Sequence, residues 1–156
     1  REKMAAQEKV IIVTGASRGE VYGPRSARTK ADIPLGIGLA VAHYLLKEKC
    51  KLVIVARSKS PLDELHKSYP EQVQPLAGDL ADFSLGQKAV DLATSKWSRL
   101  DGVIVNHGIL NPVKRVSQTE AEEWRNAFDV NLFSAIALVC ILTTGNRVGT
   151  INRCSR

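Results

Sequence analysis

Four short apolar runs with helical segments between them constrain the fold of this chain more than any other feature. The runs are apolar over consecutive positions instead of at every second residue, apart from two glutamines in the third and Asp101 in the fourth, and such runs are typical of strands covered on both faces. Because strands and helices alternate, we expect a parallel sheet with right-handed crossovers, which makes a doubly wound α/β fold. Pro75 removes a backbone N–H from the third run, which is therefore predicted to lie at a sheet edge. The predicted strands are Lys9–Thr14, Lys51–Ala56, Gln72–Ala77 and Leu100–Val105.

Two of the helical segments carry recognisable start signals. Ser60 is the predicted N-cap of one helix, with Pro61 at its first helical position. Thr119 and Glu122 have the spacing of a capping box, which predicts a long helix that runs to about Leu142. We expect these helices to cover the faces of the sheet.

The distribution of charge argues against one class of partner. The formal net charge is +6, but residues 37–142 hold equal numbers of basic and acidic side chains, and the excess lies outside them. No basic stripe interleaved with aromatic residues is present, so nucleic-acid binding is disfavoured. The three cysteines are scattered without a CxxC spacing and the three histidines form no ligand pattern, so no metal site is expected.

The apolar segments are short. The longest run, Phe133–Leu142, is interrupted by Ser134 and is well below the length of a membrane span. The N-terminal residues contain no apolar signal-peptide core. We therefore expect a cytoplasmic protein without a membrane partner.

A glycine-rich turn follows the first predicted strand, in the sequence Thr14-Gly15-Ala16-Ser17-Arg18-Gly19. In a dinucleotide-binding fold this turn needs glycines because the chain reverses tightly and its backbone approaches a pyrophosphate without a Cβ in the way. The next helix then directs its free N–H groups at the phosphates. The position of the turn after a first buried strand predicts a Rossmann-type dinucleotide site.

These residues resemble the short-chain dehydrogenase/reductase family, whose hallmark is Thr-Gly-x-x-x-Gly-x-Gly. Thr14, Gly15 and Gly19 match, and the last part of the hallmark appears only later, as Ile37-Gly38. Between them lies an insert, Glu20–Gly36, of different character. The segment from Leu100 to Lys114 and the helix after it look like the sepiapterin-reductase and benzil-reductase branch, which reduces vicinal dicarbonyls.

Two explanations of the insert compete. It is either a real loop that alters cofactor binding or translated intron, and the codons available for Gly19-Glu20-Val21 and Leu35-Gly36 permit splice signals. We favour the intron interpretation. A loop lengthened in this way costs only about 1 kcal/mol in closure entropy, so the fold survives in either case.

The resemblance implies a cofactor and its contacts. Ala56 and Arg57 stand where family members that use NAD place an acidic residue for the ribose 2′-hydroxyl, and Arg18 lies in the turn. Two cations without a carboxylate suit a 2′-phosphate, so NADPH is preferred over NADH. Asp79 matches the adenine-contacting Asp of the family. The cofactor-binding residues implied in this way are Gly15, Ser17, Arg18, Gly19, Ile37, Arg57, Asp79, Leu80, Asn106 and Gly108.

The resemblance also implies a catalytic residue. Asn131 matches the family's catalytic Asn, which holds a water in a proton relay. His107 stands in the Asn-Ala-Gly motif in place of Ala, and we expect it to pack or face solvent instead of acting as an acid or base. The family's Ser and Tyr-x-x-x-Lys do not occur: none of the three tyrosines has a Lys four positions later.

Three hypotheses follow for the function. The first is an NADP(H)-dependent oxidoreductase that reduces a small-molecule carbonyl, is a homo-oligomer in the intact family member, and is inactive as this chain. The second is a non-catalytic dinucleotide-binding module or partner of a full-length relative. A nucleotide-sugar epimerase-like relative is disfavoured by Asn131 and the Asn-His-Gly motif. We expect a single incomplete dinucleotide-binding domain over residues 1–156, truncated after about four strands, with a divergent tail at 140–156.

Overall fold

One parallel sheet of four strands organises the computed structural model, which describes residues 8–17 and 36–144. The spatial order of the strands is β3-β2-β1-β4, and all three neighbouring pairs are parallel. The predicted doubly wound α/β fold is therefore confirmed, and β3 with Pro75 lies at an edge of the described sheet. The strands are β1 Val10–Thr14, β2 Lys51–Ala56, β3 Val73–Ala77 and β4 Gly102–Ile104.

Both faces of the sheet are covered by helices. Apolar residues of α1 and α2 pack on one face in a core that includes Val13 and Ile54, and α3 and α5 pack on the other against Ile12 and Val53. The strand side chains of β2 after Lys51 are all buried, which explains the continuous apolar run. The helices are α1 Ile37–Lys47, α2 Lys59–Ser68, α3 Ser84–Trp97, α4 Ala121–Phe128 and α5 Ser134–Thr144. A π-helical turn, Asp129–Phe133, joins α4 to α5.

The order of the strands changes direction at β1. The chain passes from β1 to β2 and β3 on one side, and then crosses to place β4 on the other side. The boundary between β1 and β4 is thus the topological switch point, and open α/β sheets place their ligand crevice at the carboxyl ends of the strands there. The pairing with β4 covers only Ile11 to Val13, so the fourth strand is shorter than the sequence predicts.

Two predicted helix starts are wrong by one or two residues. Helix α2 begins at Lys59 with Ser58 as its N-cap, so Ser60 already lies inside the helix. The capping box of α4 is formed by Glu120 and Glu123. Thr119 is occupied elsewhere, because its hydroxyl donates to the Val116 carbonyl (2.6 Å) and accepts from the Trp124 indole (3.0 Å).

The continuous helix over Ala121–Leu142 is longer than the apolar run considered in the sequence. By length and composition alone it is the one helix of the described residues that could cross a membrane. Its first half carries charged side chains, including Arg125 and Asp129, which are costly inside a bilayer. Leu138 in its second half is buried against the sheet core. Such a helix is weak support for a span, and the contacts tie this one to the fold.

Candidate dinucleotide-binding site

The carboxyl end of β1 forms the floor of the crevice at the switch point. Gly15 has a φ of +67°, a conformation that side chains rarely adopt, and a Cβ there would lie 2.9 Å from the Asn106 carbonyl oxygen. Gly38, in the first turn of α1, meets the same group of atoms: a Cβ on it would collide with the Gly15 carbonyl and lie 2.6 Å from Asn106 Nδ2. Both positions require glycine because three backbone segments meet there.

The start of α1 is therefore packed on the Gly15 turn, although the two are far apart in the chain. Gly36 is its N-cap residue, and no acidic residue lies in its first turn to neutralise the positive end of the helix dipole. A helix N-terminus beside a glycine turn is the arrangement that binds phosphate groups. Ile37 is exposed beside this turn, where the sequence places a cofactor contact.

Side chains from the end of β4 and the loop after it hold this turn. The Asn106 side-chain amide donates to the Gly15 carbonyl (3.4 Å), and its backbone N–H donates to Thr14 Oγ1 (3.0 Å). Thr14 is fully buried, so its hydroxyl serves the protein interior. Asn106, predicted as a cofactor residue, thus shapes the turn from the β4 side.

His107 lies between β1 and α5 instead of facing solvent. Its Nδ1 is 2.8 Å from Thr14 Oγ1, and its Nε2 is 2.6 Å from the Oγ of the buried Ser134. Burial lowers the pKa of His107, an effect only partly opposed by the Val130 backbone and the charge of Asp79. His107 is therefore held neutral at physiological pH by its surroundings.

Asn131 lies in the π-helical turn and makes two hydrogen bonds to the loop that follows β4. Its Oδ1 accepts from the Ile109 N–H (2.7 Å), and its Nδ2 donates to the Ile109 carbonyl (2.8 Å). A Cβ on Gly108 would lie 3.1 Å from Asn131 Oδ1, so glycine permits this approach. π-helical turns are frequent at functional sites. The side chain of Asn131 positions the loop, and its role in a proton relay stays a prediction.

The residues predicted to contact the adenosine half of a dinucleotide follow β2 and β3. Arg57 is exposed directly after β2. Asp79 Oδ1 accepts from the Ala81 N–H (3.0 Å), which is an Asx turn at the entry to the next segment. The Leu80 side chain is buried in the core, so only its main chain is available to a ligand. These residues follow the carboxyl ends of β2 and β3, which lie at the same end of the sheet as Gly15.

The structure brings together five of the eleven predicted site residues at the switch point. Gly15, Asn106, Gly108 and Asn131 are linked by direct contacts around the switch point, with Ile37 beside them. Ser17 is half-buried just after the turn, while Arg18 and Gly19 lie outside the described residues together with most of Glu20–Gly36.

The sequence did not identify Ser134 as part of the site, and it did not predict the close packing at Gly38. Ser134 reads as an interruption of an apolar run, yet it is buried and bonded to His107. A lone polar residue within such a run is the signal that could have identified it. Gly38 was recognised in the motif but not as a position where a side chain is excluded.

Comparisons with known proteins agree with this geometry. Residues 34–151 match the model of the short chain dehydrogenase family, and the match begins in the last residues of the insert, just before Ile37-Gly38. An uncharacterised oxidoreductase from Schizosaccharomyces pombe is 35% identical over 133 residues, which are 85% of this chain and 46% of that protein. Benzil reductase ((S)-benzoin forming) from Saccharomyces cerevisiae is 33% identical over 140 residues, covering 85% of this chain and 47% of the relative.

A solved structure shows the same arrangement in space. A short chain dehydrogenase/reductase from Saccharomyces cerevisiae superposes with a TM-score of 0.73 at 29% identity, covering 86% of this chain and 47% of that one. The chain spans about half the length of the relatives that it matches. The strand order, the glycine turn and these matches agree, and the chain belongs to the short chain dehydrogenase family.

Proposed function

We propose that this chain carries the dinucleotide-binding part of an NADP(H)-dependent oxidoreductase that reduces a small-molecule carbonyl to an alcohol. The observation that carries the proposal is the packing of Gly15, Gly38 and Asn106 at the switch point. This packing docks the N-terminus of α1 directly against the glycine turn at the end of β1, and a helix N-terminus in that position suits a pyrophosphate.

The preference for NADPH rests on charge. The chain places Arg57 after β2 and no carboxylate there, and a guanidinium can pair with a 2′-phosphate through two parallel hydrogen bonds. Both cofactors occur on this fold. L-Sorbose reductase from Gluconobacter frateurii was crystallised with NADPH (TM-score 0.66), and 3-ketoacyl-(acyl-carrier-protein) reductase from Brucella melitensis with NADH (TM-score 0.70), each 24% identical.

The substrate class is proposed from a relative. Benzil reductase acts on a diketone, as its name states, and it is 33% identical to this chain. We extend this chemistry to a carbonyl compound as the substrate here, in a cytoplasmic homo-oligomer. The contribution of this chain to the reaction would be cofactor binding and the loop held by Asn131.

A second candidate is a non-catalytic dinucleotide-binding module, or a partner of a full-length relative. It rests on the absence of Tyr-x-x-x-Lys from these 156 residues, which span about half the length of the relatives. A missing general acid typically costs about 10²–10⁴-fold in rate. Under both candidates we expect the purified chain to bind NADPH without consuming it, and steady oxidation of NADPH with a diketone would contradict this expectation.

Titration with NADPH and NADH tests the proposal. We expect NADPH to bind more tightly than NADH, and Arg57→Asp to reverse that order because a carboxylate repels the 2′-phosphate. Lys96→Asp is the matched control, since it makes the same charge change at the end of α3. An unaltered preference in Arg57→Asp would remove Arg57 from the site.

The same titration examines the insert. Deleting Glu20–Gly36 joins Gly19 directly to Ile37, which restores the hallmark spacing. We expect NADPH to bind more tightly to the deleted form because the turn then leads directly into α1. Equal or weaker binding would mean that the segment is a functional loop.

A further inference from the structure

A chain of hydrogen bonds connects the glycine turn to the helix that carries Asn131. It begins at Thr14, the last residue of β1, passes through the imidazole of His107 and ends at Ser134, the first residue of α5. Ser134 directly follows the π-helical turn Asp129–Phe133. Three elements that contribute to the crevice are therefore joined through one side chain.

The positions of the protons follow from the partners. Ser134 Oγ is 2.6 Å from the Val130 carbonyl, which can only accept, so the Ser134 hydroxyl donates to it. Ser134 must then accept from His107, which places a proton on Nε2. In the neutral imidazole Nδ1 is left as an acceptor for the Thr14 hydroxyl. The neutral Nε2–H tautomer is the form that satisfies both ends at once.

We propose that His107 is a positioning residue that couples dinucleotide binding at the glycine turn to the π-helical turn holding Asn131. The inference rests on the proposed function, since it concerns how the same site is held. At one end Thr14 also accepts the Asn106 N–H, and Asn106 in turn bonds to Gly15. At the other end Ser134 bonds to Val130, the neighbour of Asn131. A shift of the turn is thus transmitted to the Ile109 loop.

Protonation of His107 would disturb this link. An imidazolium carries donors on both nitrogens, so Nδ1 could no longer accept from Thr14. The Thr14 oxygen already accepts from the Asn106 N–H, and its hydroxyl would have to turn to the Ile104 carbonyl at 3.3 Å. Among the described residues, Asp79 is the charged group that acts on His107 and favours its charged form, but burial outweighs it. Because burial lowers the pKa of His107, we expect the link to weaken only at pH values below the range in which free imidazole titrates.

The test uses the full chain and two variants that cut opposite parts of the link. Ser134→Ala removes the far partner and leaves the imidazole in place. His107→Gln can still donate to Ser134 but has no titrating group. Ser95→Ala is the matched control, because Ser95 also bonds to a carbonyl of its own helix (3.2 Å) and lies on α3, away from the site. NADPH affinity is measured at pH 7.5 and 5.5, and amide exchange is followed at Ile109.

The expected results separate positioning from general stability. In the parent chain NADPH should bind about fivefold more weakly at pH 5.5 than at pH 7.5, and NADPH should slow exchange of the Ile109 N–H. Ser134→Ala should lose about fivefold in affinity at pH 7.5 and lose the effect of NADPH on Ile109. His107→Gln should keep much of the affinity and show a smaller pH dependence than the parent, because only the 2′-phosphate of NADPH then titrates between these pH values. Ser95→Ala should behave as the parent.

Failure of this inference and failure of the proposed function look different. If the parent binds NADPH but Ser134→Ala and His107→Gln share its affinity, pH dependence and Ile109 exchange, the coupling is wrong and the dinucleotide site stands. If Ser134→Ala does not fold, the pH dependence of His107→Gln alone decides, and a dependence equal to that of the parent overturns the inference. If the parent binds neither NADPH nor NADH, the proposed function fails and the coupling with it.

Discussion

The two flanks of β1 are held in different ways. On one side β2 pairs with it over five residues, and its side chains after Lys51 are buried between two layers of helices. On the other side β4 pairs over three residues that are only half-buried, and Val105 just beyond them is 41% exposed. The β2 flank is stabilised mainly by apolar burial, which is not directional.

Polar side chains compensate on the β4 flank. At the amino end Asp101 accepts the N–H of Val10 (2.8 Å), and at the carboxyl end Thr14 accepts the N–H of Asn106 (3.0 Å). These directional bonds fix the position of a short strand that burial alone would leave poorly determined. The part of the sheet that bears the candidate site therefore depends on specific hydrogen bonds, while the part that supports it depends on apolar packing.

The largest expected effect is on association, because the β4 flank also exposes an apolar face of the long helix. We expect the chain to associate at micromolar concentration, and Ile136→Lys to reduce this, since large exposed apolar patches drive association. Sedimentation measures the mass, and Tyr44→Lys on the opposite flank is the control. A clean monomer in the parent chain would contradict the prediction. The exposed residues are Trp124, Phe128, Leu132, Phe133, Ile136 and Val139.

A glycine exchange compares the site with the strand next to it. Gly38→Ala forces a Cβ against the Gly15 carbonyl, whereas Gly102→Ala at the start of β4 meets no atom within 4 Å. We expect Gly38→Ala to lower the free energy of unfolding by about 3 kcal/mol and to weaken NADPH binding, as overpacking does. Gly102→Ala should be neutral or slightly stabilising. Equal effects in urea unfolding would show that the turn is not tightly packed.

A valine pair measures the difference between the flanks directly. Val53 in β2 is fully buried, and Val103 in β4 packs on the same face of the sheet but is half-buried. We expect Val53→Ala to lower the free energy of unfolding by about 2 kcal/mol and Val103→Ala by about 1 kcal/mol or less. Chemical denaturation checks both values. A larger loss at Val103 would mean that the β4 flank, and not the β2 flank, is stabilised more by apolar burial.

The sequence predicted the β2 flank better than the β4 flank, for a physical reason. Buried strands leave a continuous apolar signal, so Lys51–Ala56 was predicted to the residue. The run from Leu100 to Val105 contains the same Val-Ile-Val segment, yet only Gly102–Ile104 pairs with β1. The pattern of apolar residues predicts which side chains are buried, and it does not predict how many backbone hydrogen bonds a strand makes with its neighbour.

The candidate site divides in the same way. The glycine positions were predictable because glycine is the residue used where the backbone has a positive φ or approaches another segment closely. The link through His107 was not, since it joins residues from three distant segments. Helix starts at Ser60 and Thr119 were misplaced because neighbouring residues could cap equally well.

The smallest expected effect is a pH-dependent one at the amino end of β4. Burial alone would raise the pKa of Asp101, but bonds from Arg99 and the Val10 N–H, with the charges of Arg99 and Lys9, hold it below its usual range. Because the folded-state pKa is depressed, this stabilisation is present above pH 4 and is lost as the pH falls through the folded value. The usual pKa of Asp is about 3.9.

Asp101→Asn should therefore lower the free energy of unfolding by about 1 kcal/mol at pH 7, and the difference from the parent should shrink at acidic pH. Thermal melts between pH 3 and pH 7 measure it. Asp63→Asn on α2 serves as the control for loss of a negative charge. A constant difference across this range would mean that the carboxylate does not supply the bond to Val10.

The contact between Gly15 and Gly38 shows that residues of a nucleotide-binding motif can be adjacent in the fold although they are far apart in the sequence. In the sequence the glycine motif stops at Gly19 and resumes at Ile37, so a search for the uninterrupted motif would not find it. In the structure the two parts of the motif are in contact, because the start of α1 packs on the end of β1. The place between Gly19 and Ile37 is therefore one where the residues of an insert can enter the chain without separating Gly15 from Gly38.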